Sequence, residues 1–161
     1  HYFNQKNLTK WMVPAGPDHA QIAAANGIID YFDALDAHHG GINDRDRPRR
    51  VEGLLQGAEK SNLKELLDYI VARDDIRIIG PSTCENRVPT VSFVSTRRKA
   101  SEIALDLANR GVMVGAGHYY AVRVFDAMGL DSDAGSVRMS FTHYTSEFEI
   151  KSAIAALEEI L

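Results

Sequence analysis

The order of apolar segments after residue 75 constrains this chain most, because short runs of strand character alternate there with helical ones. Ile76-Arg77-Ile78-Ile79 closes at Gly80-Pro81. Val88-Pro89-Thr90-Val91-Ser92-Phe93-Val94 alternates as a half-buried strand, and Pro89 makes its start an edge or entry point. Lys99 to Arg110 reads as a helix ended by Gly111, and Val112-Met113-Val114 as a brief strand running into Gly115-Ala116-Gly117-His118. Tyr119 to Met128 reads as a helix that stops at Gly129, and Ser136 to Phe141 alternates again. The last helix opens with Ser146 and Glu149 at capping-box spacing and continues through Ile150, Ile154 and Leu157. A β-β-α-β-α-β-α order buries its apolar faces most simply as a sheet covered by helices.

Upstream lies the longest helical signal. Val51, Leu54, Leu55, Ala58, Leu63, Leu66, Leu67 and Ile70 recur at three- and four-residue intervals from Arg50 to about Arg73, with a bend or interruption expected near Ser61-Asn62. An earlier helix is expected from Asp18, its N-cap, to about Ala37, stopping before Gly40-Gly41. Between them, Asn43 to Arg50 is charged and turn-prone and reads as a solvated connection. The first seventeen residues are irregular and end in the turn signal Val13-Pro14-Ala15-Gly16-Pro17. The net charge of −4 is spread along the chain, which argues against a nucleic-acid partner, and one cysteine excludes an internal disulfide framework. No apolar run reaches membrane-spanning length and no signal peptide opens the chain, so the expected setting is cytoplasmic. The chain opens on His1-Tyr2-Phe3-Asn4 without methionine and is expected to be a piece of a longer polypeptide.

Few residues stand out chemically. His38 and His39 are neighbours on a helix, about 100° apart, and read as a solvated helix end; no zinc pattern exists and no metal is expected. Gly115-Ala116-Gly117-His118 between strand and helix is either a phosphate cradle or a tight turn needing positive φ. Cys84 lacks the cationic or helix-terminal setting of a reactive thiolate and reads as a plain cysteine. Arg138 sits mid-strand between Val137 and Met139 with Ser136 and Ser140 on its own face. It is either a carboxylate-binding fork or an arginine on the solvent face, and residue types alone leave these two readings level.

Three segments in order carry a family resemblance. Gly135-Ser136-Val137-Arg138-Met139-Ser140-Phe141-Thr142-His143-Tyr144-Thr145-Ser146-Glu147-Phe148-Glu149-Ile150 resembles the R-x-S-x-x-x-Y-x-T-x-x-E-I ending of class V aminotransferases, a family that includes cysteine desulfurases and selenocysteine lyases. Gly111-Val112-Met113-Val114-Gly115-Ala116-Gly117-His118-Tyr119-Tyr120-Ala121 resembles its G-I-x-V-R-x-G-x-H-C-A segment. Ala15-Gly16-Pro17-Asp18-His19, followed by a helix that includes Asp30-Tyr31, resembles its E-x-G-T-x-N…Y segment.

The resemblance implies a pyridoxal-phosphate enzyme of fold type I, an α/β protein in which a large domain holds the cofactor and a small C-terminal domain closes over an amino-acid substrate. Residues 1–49 would be the tail of the large domain. Residues 50–161 would be the small domain, a small mixed sheet covered by helices and led by the helix at 50–73. Arg138 and His118 fall at substrate-binding positions, Arg138 on the carboxylate. Gly16, Asp18 and His19 fall at cofactor-binding positions, in a loop that reaches the partner's cofactor in a homodimer.

Departures from the pattern are informative. The family's Schiff-base lysine and its pyridine-nitrogen aspartate would lie upstream, and Lys6, Lys10, Lys60, Lys64, Lys99 and Lys151 stand in no matching context. The chain alone is therefore expected to hold no catalytic residue and to be inactive. Tyr120 stands where one desulfurase branch carries its persulfide cysteine, and Pro17 replaces a threonine after the interface glycine. Both argue against persulfide chemistry and for an aminotransferase-like or lyase-like parent. A free-standing, non-catalytic α/β module that binds a small carboxylate or a protein partner is the alternative.

Overall fold

A computed structural model of the chain describes residues 6, 18–42 and 44–161. Gly16 and the turn around Pro14 lie outside the described residues. The chain divides into two compact units, His1–Gly53 and Leu54–Leu161.

In the first unit, α1 (His19–Ala24) and α2 (Asn26–His38) replace the single helix expected from Asp18. The break falls at Ala25, whose N–H is shared between the Gln21 and Ile22 carbonyls at 3.3 Å each, the tight geometry of a helix end. Asp18 caps α1 as expected, accepting from the N–H groups of Ala20 and Gln21 at 3.1 Å each. Gly40, at φ +77°, ends the run. The charged stretch is only partly a connection, because α3 (Arg47–Val71) already starts within it. Pro48 suits a first helical turn. Arg50 grips buried Asp36 bidentately at 2.8 and 2.7 Å and Asp44 at 2.9 Å, and Arg47 pairs with Asp33. Opposite charges at matched spacing draw this part of the run into structure.

The second unit continues with α3, which passes Ser61-Asn62 without interruption. Asn62 is buried and spends its amide outside the helix, donating to the Thr145 carbonyl at 2.7 Å. Then come β1 (Ile76–Ile79), β2 (Thr90–Ser95), α4 (Ala100–Ala108), β3 (Gly115–Gly117), α5 (Val122–Ala127), β4 (Ser136–Ser140) and α6 (Glu147–Ile160). Ser146 and Glu149 form the expected capping box at the start of α6.

The strands lie in the order β1-β2-β4-β3, and all three pairings are antiparallel. The expected mixed sheet is thus corrected within the same α/β class. β2 and β3 run in the same direction, but β4 lies between them and is antiparallel to both, so no two neighbouring strands are parallel. The third strand also differs from expectation, falling on Gly115–Gly117 instead of Val112–Val114. The Val112 N–H still bonds the Leu107 carbonyl of α4 at 2.9 Å, so Val112–Val114 is the exit from that helix. The following helix starts three residues later than expected, because Tyr119 and Tyr120 have positive φ and cannot be helical.

Alternation gives the sheet two unlike faces. Val91 and Phe93 of β2 and Val137 and Met139 of β4 are buried with Leu63, Leu66, Leu67 and Ile70 of α3, Ile103 and Leu107 of α4, and Ile150 and Leu157 of α6. The opposite face, read from the pairing register, carries Ile79, Ser92, Arg138 and Gly115 in one row, Thr90 and Ser140 in another, and Arg77 and Val94 with Ser136 and Gly117 in a third. It is the polar face, and Arg138 is at its centre.

Candidate functional site

Arg138 is exposed although its neighbours Val137 and Met139 are buried, because a strand sends successive side chains to opposite faces. Its register partners are Ser92 on β2 and Gly115 on β3. Among the described residues no carboxylate pairs with it. Its guanidinium carbon lies 4.1 Å from the centre of the Tyr119 ring. A cation over a π-face in this range is a favourable contact that leaves the hydrogen-bonding edge of the guanidinium unspent.

Tyr119 reaches that place through an unusual turn. The Ala121 N–H bonds the His118 carbonyl at 2.7 Å, and the two residues between have φ of +51° and +60°. These are the φ signs of a type I′ turn, which normally recruits Asn-Gly, yet here both positions are tyrosine. The turn throws the two rings apart. Tyr120 is fully exposed, whereas Tyr119 folds over β3 and donates its hydroxyl to the Ser136 carbonyl at 3.2 Å. Burial pushes the Tyr119 phenol above its ordinary pKa, with the Arg138 charge opposing that shift, so the ring faces Arg138 as a neutral phenol.

The glycines make room for this arrangement. A Cβ on Gly115 would stand 2.9 Å from the Tyr119 hydroxyl oxygen, and one on Gly135 would stand 2.8 Å from the Gly117 Cα. The pair Gly115 and Gly117 therefore reads as close approach and turn geometry, with Gly117 at φ +134°. His118 belongs to the same turn. Its Nδ1 accepts the Tyr120 N–H at 3.1 Å, which assigns the ring proton to Nε2 when the imidazole is neutral.

The remaining sequence candidates belong to other elements. Asp18 and His19 belong to the first unit, where the Asp18 carboxylate is committed to capping and His19 is an exposed first-turn residue of α1. His39 bonds back to the Leu35 carbonyl at 3.0 Å, in keeping with a helix end. Cys84 is half-buried beside a cavity of about 610 Å³ lined by Lys60, Lys64 and Glu85, among others. Sequence reading singled out Arg138 and His118 and passed over Tyr119, whose signal was the pair of tyrosines following Gly-x-Gly-His before a helix.

A pyridoxal-phosphate site does not fit within the described residues. Lys60 and Lys64 are on α3, Lys99 precedes α4 and Lys151 is on α6, all on elements that cover the core face of the sheet. Lys64 and Lys151 are already paired with Asp68 and Glu147. Among the described residues of the second unit, no lysine is on the strands that carry Arg138's face of the sheet.

The second unit is an antiparallel sheet with helices on one face and a polar, arginine-bearing face on the other, within the α/β class. The family model for aminotransferase class-V matches residues 55–152, and the chain belongs to that family. It is 27% identical over 150 residues to an aminotransferase-like protein of Gibberella zeae, covering 89% of this chain and 36% of that protein. It is 36% identical over 103 residues to a Mycobacterium leprae protein named "Probable cysteine desulfurase 2", covering 64% of this chain and 24% of the other. The apo structure of a cysteine desulfurase from Thermococcus onnurineus superposes with a TM-score of 0.62 at 25% identity, over 72% of this chain and 28% of that one. The chain thus spans roughly a quarter to a third of these proteins. Among the described residues no helix is long and apolar enough to cross a membrane.

Proposed function

We propose that the chain is the C-terminal substrate-binding domain of a pyridoxal-phosphate enzyme that acts on an amino acid, with Arg138 receiving the substrate carboxylate. The observation that carries this reading is an arginine at the centre of the polar sheet face with no carboxylate partner among the described residues. An unpaired guanidinium in such a place is preset for a bidentate anion. His118, which follows β3 and keeps its neutral-ring proton at Nε2, is proposed as a second donor to the substrate. The chemistry that the cofactor supplies when bound lies with residues beyond those described here, including the lysine that would carry it. This chain's own work is to bind and orient. Gly16, Asp18 and His19 are proposed to approach the cofactor of a second copy in a homodimer, and a cytoplasmic setting fits the single cysteine. Tyr120 in place of cysteine favours transamination or elimination over persulfide transfer.

Two measurements test the reading. The protein from its native source is expected to have a mass well above this chain and a visible absorbance band that borohydride abolishes; a mass equal to this chain with no band refutes the enzyme. The chain itself is expected to bind L-alanine saturably, to ignore ethylamine, and to lose alanine binding on Arg138→Lys. Equal binding of ethylamine refutes the carboxylate role.

A further inference from the structure

We propose that Tyr119 is the positioning residue of the carboxylate site: its ring is the platform that holds the Arg138 guanidinium in one orientation. This rests on the reading of Arg138 as the carboxylate binder and adds what fixes it there. An arginine on an open sheet face has four rotatable bonds and, without a partner, samples many rotamers. Each is a state that must be given up when a carboxylate is gripped. A platform that selects one rotamer beforehand removes that penalty.

Four independent features converge on the ring. The guanidinium carbon lies 4.1 Å from its centre. Its hydroxyl is tied to the Ser136 carbonyl at 3.2 Å, two residues before Arg138 on the same strand. Its hydroxyl edge occupies the space where Gly115, the register partner of Arg138, has no side chain. Its backbone is held at φ +51°, next to Tyr120 at +60°. A non-glycine residue at such φ is strained and persists only where the surroundings over-determine it. Tyr120 is fully exposed, so of the two strained residues it is Tyr119 whose side chain packs against the sheet. The strain is spent on placing one aromatic ring under one cation.

The phenol also suits the task electrically. Held neutral by burial, it presents a π-face to the cation without supplying a competing anion. An aspartate or glutamate in its place would pair with Arg138 and occupy the fork that the ligand needs.

The test uses arginine side-chain NMR of the labelled chain, with L-alanine as the probe. In the wild type the Arg138 guanidinium protons are expected to be displaced upfield by the Tyr119 ring current. Tyr119→Phe keeps the ring and should keep that displacement; Tyr119→Leu should lose it, with backbone amide dispersion confirming that the variant is folded. The alanine dissociation constant is expected to rise about 3- to 30-fold in Tyr119→Leu and less than about twofold in Tyr119→Phe, the range a cation–π contact spans. Arg138 protons unshifted in the wild type, or unchanged in Tyr119→Leu, would overturn the platform. Alanine binding lost in Arg138→Lys but untouched in Tyr119→Leu would overturn Tyr119 alone and keep the carboxylate reading. Binding that survives Arg138→Lys would overturn the carboxylate reading, while the ring-current displacement still decides the platform.

Discussion

Gly135 immediately precedes β4, and replacing it by alanine should damage the whole corner that carries Arg138. Its φ is +68°, which costs a non-glycine residue about 1–2 kcal/mol. The added Cβ would stand 2.8 Å from Gly117 Cα and 3.1 Å from Gly117 C and N, all backbone atoms of β3. Backbone cannot swing aside as a side-chain tip can, so β3 must move away from β4, at an overpacking cost of about 1–3 kcal/mol. Alanine returns some of this, about 0.4–1 kcal/mol, by restricting the unfolded chain. The net expectation is a loss of about 2–4 kcal/mol. Gly129→Ala isolates the steric part. Gly129 has nearly the same φ, +64°, but no atom within 4 Å of its added Cβ. That variant should lose only about 1 kcal/mol. Urea unfolding of the two variants beside the wild type measures both numbers. Equal losses would refute the reasoning, since they would mean that β3 yields freely and that the glycine pair is a matter of φ alone.

Asn62→Ala should cost about 1–3 kcal/mol, because it leaves the Thr145 carbonyl without its donor, and chemical denaturation of the variant reads this directly. Asp75 accepts from Arg73 at 2.9 Å on both oxygens, and this pairing holds its carboxyl below the ordinary 3.8. A depressed folded-state pKa contributes stability above the unfolded value and loses it as pH falls through the folded one. Wild type and Asp75→Asn should therefore differ at neutral pH and converge as unfolding is followed below about pH 4; a gap that stays constant with pH would count against the pairing. Tyr120→Gly should raise stability by about 0.5–1 kcal/mol in thermal melts, since it relieves a left-handed backbone and gives up little packing. On the first unit, Ile22, Ile28 and Ile29 are 62%, 56% and 46% exposed, and self-association at micromolar concentration, weakened by Ile29→Glu, is expected by sedimentation velocity.

Much of the helix and strand order is legible in the sequence wherever one face is strongly apolar. The spacing of Leu63, Leu66, Leu67 and Ile70 locates α3, and the alternation of Val137 and Met139 with Arg138 and Ser140 locates β4 and its two faces. The misreadings fall where side chains do not carry the pattern. Val112 and Val114 look like a strand because they pack on the core, yet the hydrogen-bonded strand is the glycine run after them, which periodicity cannot see. Asn62 looks like a helix interruption, but its amide serves a partner 83 residues away. Sheet order was equally hidden, since nothing local says that β4 slips between β2 and β3.

Gly115 and Tyr119 have to be considered together, and this is where the chain departs most from the motif it resembles. That motif carries arginine at the position of Gly115. A side chain there would collide with the Tyr119 ring, because even a Cβ would come within 2.9 Å of the hydroxyl oxygen. Conversely, a small residue at 119 would leave a hollow above Gly115 and nothing under Arg138. In this chain the Tyr119 ring takes the space beside Gly115 and lies against the Arg138 guanidinium. Charge decides what the corner can bind. Two arginines side by side would favour a dianion, whereas one arginine backed by a phenol matches a single carboxylate. On the proposed reading of Arg138, the ligand expected at this corner is therefore a monoanion such as the carboxylate of a neutral amino acid.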